Sequence, residues 1–108
     1  MNKNYQRGRN WEYQIIDKVK ELYPDCFAGR NAGSHGFFDV WAIVEDSFSP
    51  LTGSLHLIQA KTGNKITNAH REEWAKMKQI KIPKLLTVKK EFWIKLPKNN
   101  IIAWGEEK

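Results

Sequence analysis

The sequence contains one cysteine, Cys26, among 108 residues. A lone thiol excludes an intramolecular disulfide and cannot build a zinc site of the usual Cys/His count. No apolar run approaches the length of a membrane span, and no signal-peptide core is present. The expectation is a cytoplasmic, intracellular protein with no membrane partner. Repeats, low-complexity tracts and linkers are also missing, which predicts a single domain over residues 1–108. A core of this size gives marginal stability, which a dimer interface would augment.

Hydrophobic residues make up 41% of the chain and aromatic residues 12%, proportions of a globular protein. The formal net charge of +6 points to a polyanionic partner. Nucleic acid is the commonest such partner, although many basic domains bind nothing acidic.

Residues 1–10, "MNKNYQRGRN", read as a polar arm carrying Lys3, Arg7 and Arg9, with the arm proper at about 1–8. A helix is expected from about Gly8 to Leu22, where Trp11, Ile15, Ile16, Val19 and Leu22 recur at helical spacing. Pro24 ends it. "CFAGR" (26–30) predicts a short strand, "NAGSHG" (31–36) a loop and "FFDVWAIV" (37–44) a strong strand. "EDSFSPLTG" (45–53) then predicts a hairpin loop and "SLHLIQAK" (54–61) the returning strand, together an antiparallel meander. "TNAHREEWAKMKQI" (67–80) predicts a second helix capped by Thr67 or Asn68, with His70, Trp74 and Met77 on one face. "PKLLTVKK" (83–90), "EFWIKLP" (91–97) and "IIAWG" (101–105) predict three further strands. The order predicts an α/β fold, a mixed central β-sheet flanked by helices.

Polar residues in apolar places carry the chemistry. Glu12 shares a helix face with Ile16 and Val19, where a carboxylate is costly unless paired; a charge at the helix boundary explains it equally. Asp39 interrupts a strand, and Asp is depleted in strands; a turn cap at the strand's start is the alternative. Gln59 and Lys61 share a face with Leu55 and Leu57; a strand fraying into solvent is the alternative. The hairpin sets Asp39 roughly opposite Gln59 and Lys61, with Glu12 able to reach the same end. A carboxylate pair and an amide oxygen suit a hard cation such as Mg2+, which takes oxygen ligands and retains several waters. A bound divalent ion generates a nucleophilic hydroxide and neutralises phosphoryl charge, and a nearby lysine orients the water or stabilises the developing charge.

Three stretches occur in one order: "RGRNWE" (7–12), "GRNAGSHGFFDVWA" (29–42) and "LIQAKTG" (57–63). Together they resemble the PD-(D/E)XK nuclease superfamily, and within it the archaeal-type Holliday junction resolvases. The resemblance implies a restriction-endonuclease-like fold with an αβββαβ core. It implies metal-dependent hydrolysis of DNA phosphodiesters with Mg2+, for which Mn2+ is expected to substitute. Its implied partners are branched DNA, a four-way junction, and a second copy of the chain in a homodimer. It makes Glu12 the first acidic residue of the site, Asp39 the metal-binding aspartate and Lys61 the catalytic lysine. Arg30 and Ser34 become the loop residues that approach DNA or the scissile phosphate. The likeness spans roughly residues 7–63; beyond them only the order of elements agrees.

Gln59 departs from the family, which usually has Glu there. An amide brings an oxygen to Mg2+ without charge, leaving Glu12 and Asp39 as the anionic ligands and a backbone carbonyl such as that of Ala60 to complete the shell. Some branches of the superfamily, a transposition endonuclease among them, are similar in using Gln. Two alternatives stay open: a duplex-cutting restriction, repair or transposition-type nuclease of the same fold, and a non-catalytic DNA-binding module. Arg7, Arg9, Arg30, Lys3 and Lys65 are candidates for phosphate contacts, each also readable as a solvated charge. His70 and Arg71 stand beside Lys65 in "KITNAHREEW" on the same terms. Lys89, Lys90, Lys95 and Lys98 are expected to blunt solvent-facing strand edges. His35 and His56 lack partners that suggest acid–base work and are left out of the site.

Overall fold

Helix α1 (Lys3–Leu22) begins five residues ahead of Gly8 and takes in most of the expected arm. Apart from Gly8, which costs about 1 kcal/mol in a helix, nothing in this stretch opposes helix formation. The structure, a computed structural model, describes residues 3–31, 36–45, 53–83 and 87–106. After α1 come β1 (Phe27–Arg30), β2 (Val40–Glu45), β3 (Gly53–Thr62), α2 (Asn68–Gln79) and β4 (Val88–Leu96). A 3-10 turn (Pro97–Asn99) then leads into β5 (Asn100–Gly105).

The strands form one mixed sheet in the order β1-β2-β3-β4-β5. The expected meander is present, with Gly29 opposite Trp41 in β1–β2 and Val40 opposite Ile58 in β2–β3. Strands β3 and β4 run parallel, Ala60 opposite Trp93, because α2 carries the chain back between them. The pair β4–β5 is antiparallel. The chain is thus a mixed α/β fold with a five-stranded sheet and two helices. The hairpin loop expected between β2 and β3 lies largely outside the described residues.

The sheet has a core on each face. On one, Trp11, Ile15, Ile16 and Val19 of α1 are buried with Val40, Ala42, Val44, Ile58 and Trp93. Each fully buried aliphatic side chain there, Ile15 or Ile58, contributes about 1.5–3 kcal/mol. Leu22, expected in the same stripe, is 63% exposed; it is the last helical residue, where the chain turns away through Tyr23. On the other face Met77 of α2 packs with Phe92 and Ile94 of β4, flanked by Trp74 and Trp104. Thr67 is the N-cap of α2: its hydroxyl accepts from the His70 N–H at 3.3 Å, and His70 Nδ1 accepts from the Thr67 N–H at 3.2 Å. The buried His70 therefore belongs to the helix cap and is withdrawn from the candidate DNA contacts.

Two expectations about residues 83–98 need correction. Residues 88–90 of the first stretch and 91–96 of the second form one strand, β4, since no turn residue separates Lys90 from Glu91. Strand β4 is interior, so its lysines do not blunt an edge. Lys90 is buried, and its ammonium donates to the carbonyl of Lys78 at 3.1 Å and to that of Ile80. It thereby satisfies carbonyls at the C-terminal end of α2, where the helix dipole favours a cation. Lys95 donates to Gln14 Oε1 at 2.8 Å and lies 5.7 Å from the ring centre of Trp11. Near the start of β3, buried His56 is bonded through Nδ1 to Glu91 and through Nε2 to Ser54, and Glu91 also accepts from the Trp93 indole. No helix among the described residues is long and apolar enough to cross a membrane.

Candidate functional site

Asp39 stands just ahead of β2, not within it as the run 37–44 suggested. Its N–H donates to the carbonyl of Ile58 at 2.9 Å, although Ile58 already faces Val40 in the ladder. Two residues thus oppose one, the arrangement of a β-bulge, which re-aims side chains and recurs beside active sites. The carboxylate of Asp39 accepts the N–H of Ala60 at 3.0 Å. That bond crosses from the start of one hairpin strand to the end of the other, the juxtaposition expected from the sequence. Of Ala60, it is the N–H that is engaged here.

Glu12 reaches this end from α1. Arg30 Nε, at the end of β1, donates to Glu12 Oε1 at 2.9 Å, with both side chains largely buried. Burial raises the Glu12 carboxyl above its ordinary pKa, the Arg30 hydrogen bond opposes that shift, and the charge of Asp39 adds to it. A carboxylate whose ionisation is opposed by burial and by a neighbouring negative charge is one that a bound cation relieves. Arg30 therefore holds a ligand candidate, a role beyond the phosphate contact expected for it. Ser34 lies outside the described residues, and Lys3 outside those whose side chains are described.

Gln59 and Lys61 face the other way, toward α2. With Phe37, Glu73, Lys76, Met77 and Ile80 they line a cavity of about 290 Å3. Gln59 Oε1 is buried without a hydrogen-bond partner, an unsatisfied acceptor worth roughly 1–3 kcal/mol to pair. The Lys61 ammonium lies 3.0 Å from Glu73 Oε2. The structure therefore brings Glu12, Asp39 and the Ala60 amide together, and groups Gln59 and Lys61 with Glu73. Among the described residues no three His, Cys, Asp or Glu side chains cluster as a metal site would require. The oxygen donors that stand together for Mg2+ are the two carboxylates, with water to complete the shell, whereas Gln59 Oε1 is buried on the α2 side of the sheet.

The basic candidates spread along α1. Arg9 and Arg30 flank Tyr13, whereas Arg7 lines a separate cavity of about 330 Å3 with residues 62–64 and 95–97. Lys65 and Arg71 are exposed. A cavity of about 700 Å3 lies between α2 and β5 around Trp74 and Trp104, lined by none of the acidic candidates. Two residues of these groupings escaped the sequence reading. Tyr13 follows Arg9 by four positions, a spacing that signals a shared helix face. Glu73 had no such signal, because only the packing of α2 on the sheet brings it to Lys61.

Comparison with known proteins returns no match to any family model, curated protein or solved structure.

Proposed function

We propose that the chain is a metal-dependent, structure-selective DNA endonuclease of the PD-(D/E)XK type, a Holliday junction resolvase with a restriction-endonuclease-like fold. The observation that carries the reading is the bulged Asp39 bonded to Ala60, with Glu12 set beside it by α1. The element order, a helix, three meandering strands, a helix and a parallel strand, supports it.

Glu12 and Asp39 would hold Mg2+, with water completing the shell; Gln59, expected as a ligand, lines the cavity on the α2 side instead. When bound, the ion supplies an acidified water and neutralises phosphoryl charge. Arg30 keeps Glu12 oriented toward Asp39. Lys61 would orient the attacking water and stabilise the charge that develops on the phosphoryl oxygens, for which its ammonium must leave Glu73 on the α2 side of the sheet. A homodimer would present two such sites to the symmetric strands of a junction.

The test is incubation of purified protein with labelled four-way junctions, duplex and single strands, in Mg2+, Mn2+ or EDTA. Metal-dependent paired nicks near the branch point, abolished in Asp39→Ala, are the expected result. Cutting of plain duplex would assign the chain to the restriction, repair or transposition type. The Lys61–Glu73 pair and the uncharged Gln59 favour a second reading, a DNA-binding module that does not cut. Absence of cutting under every divalent metal, with binding intact, would establish it in place of the first.

A further inference from the structure

Arg9 and Arg30 come from different elements and converge on one side chain. Their guanidinium carbons lie 5.7 and 5.2 Å from the centre of the Tyr13 ring. Like charges ordinarily separate, and this pair is held by a phenol that is 45% exposed. Arg30 has Glu12 as its counter-ion. Arg9 has no ion pair with a carboxylate among the described residues, and it is exposed. A guanidinium offers five donors in a planar fork, more than one phenol can use.

We infer that Arg9, Tyr13 and Arg30 form a seat for one phosphodiester of a DNA strand, beside Glu12. A phosphate oxygen pair matches the guanidinium fork, and the phenol hydroxyl donates to the same group. A polymer suits the surface better than a single anion. Arg7 diverges to the opposite flank of α1, so cations stand on both sides of the helix in a chain of net charge +6. The inference rests on the DNA-binding part of the proposed function and is independent of cutting.

The test is fluorescence anisotropy with labelled four-way junction and duplex DNA, and duplex RNA of equal length, in EDTA across a salt series. Arg9→Ala and Tyr13→Phe are compared with Lys20→Ala, which removes an exposed charge from the last turn of α1. Melting curves check that each variant is folded. Arg9→Ala should weaken DNA binding about tenfold and lower the salt slope by about 1, as expected for a lost phosphate contact. Lys20→Ala should weaken it by less than about threefold, the effect of general charge alone. Tyr13→Phe should weaken binding severalfold in wild type and have little effect in Arg9→Ala, since both act on one seat. Equal losses in Arg9→Ala and Lys20→Ala, or no effect of Tyr13→Phe, would overturn the seat while leaving the nuclease reading in place. Preference for RNA would overturn the assignment to DNA. No binding of any nucleic acid by wild type would overturn both.

Discussion

The ammonium of Lys61 on β3 lies 3.0 Å from the carboxylate of Glu73 on α2, with both side chains partly exposed. Such pairs contribute about 0–1 kcal/mol, so the contact can be broken at little cost in stability. Under the proposed mechanism Lys61→Ala should lower cutting by about a hundredfold or more, the scale of a lost transition-state donor. Glu73→Gln should change stability by less than about 1 kcal/mol and leave cutting intact or faster. Single-turnover nicking rates and urea melts of the two variants give the comparison; loss of cutting in Glu73→Gln would mean that Glu73 is required by the site.

Asp39→Asn separates chemistry from folding. The amide oxygen can still accept the Ala60 N–H, so the melting temperature should stay within a few degrees of wild type. Cutting should be lost, because a charged ligand is gone. Asp39→Ala should lose cutting and also about 1–3 kcal/mol of stability, since a part-buried N–H loses its acceptor. Denaturant melts beside nicking assays read both effects.

Glu12 sets a pH dependence of stability. Its carboxyl titrates above the ordinary value in the folded chain, through burial foremost. In the window between the unfolded and folded values the unfolded chain binds fewer protons, so stability falls as pH rises, and it levels off above the folded value. Glu12→Gln retains an acceptor for Arg30 and removes that loss. Its melting temperature should exceed that of wild type at neutral pH, with the gap closing below the ordinary glutamate range. A pH series of melts on the two proteins checks this; a gap constant across the range would refute it.

Lys90 is a structural cation. Lys90→Met should destabilise by about 2–3 kcal/mol, because the carbonyls of Lys78 and Ile80 lose a charged donor at the end of α2. The DNA affinity of the folded fraction should be unchanged. Urea unfolding and anisotropy at fixed folded concentration distinguish this from a DNA-contacting lysine.

Gly8 lies inside α1, and a Cβ there would meet nothing within 4 Å. Gly8→Ala should therefore stabilise the protein by about 1 kcal/mol, by removing the backbone entropy cost of glycine in a helix. A rise in melting temperature without loss of DNA binding is the expected outcome.

Local periodicity and turn chemistry determined much of this protein directly from sequence. The spacing of Trp11, Ile15, Ile16 and Val19 specified the buried face of α1, and Thr67 specified the start of α2. The alternating strands with intervening turns specified the meander, and with it Asp39 against the end of β3. These are interactions between near neighbours in the chain, or across one hairpin, where the period of the backbone decides which residues meet. Packing at long range decided the rest. Lys90 and Lys95 read as surface charges until β4 took an interior place in the sheet. Glu73 met Lys61, and Arg30 met Glu12 and Tyr13, only when helices and sheet were stacked. Such contacts join residues far apart in sequence, and no local pattern encodes them, because the stacking of layers depends on burying both faces of the sheet at once.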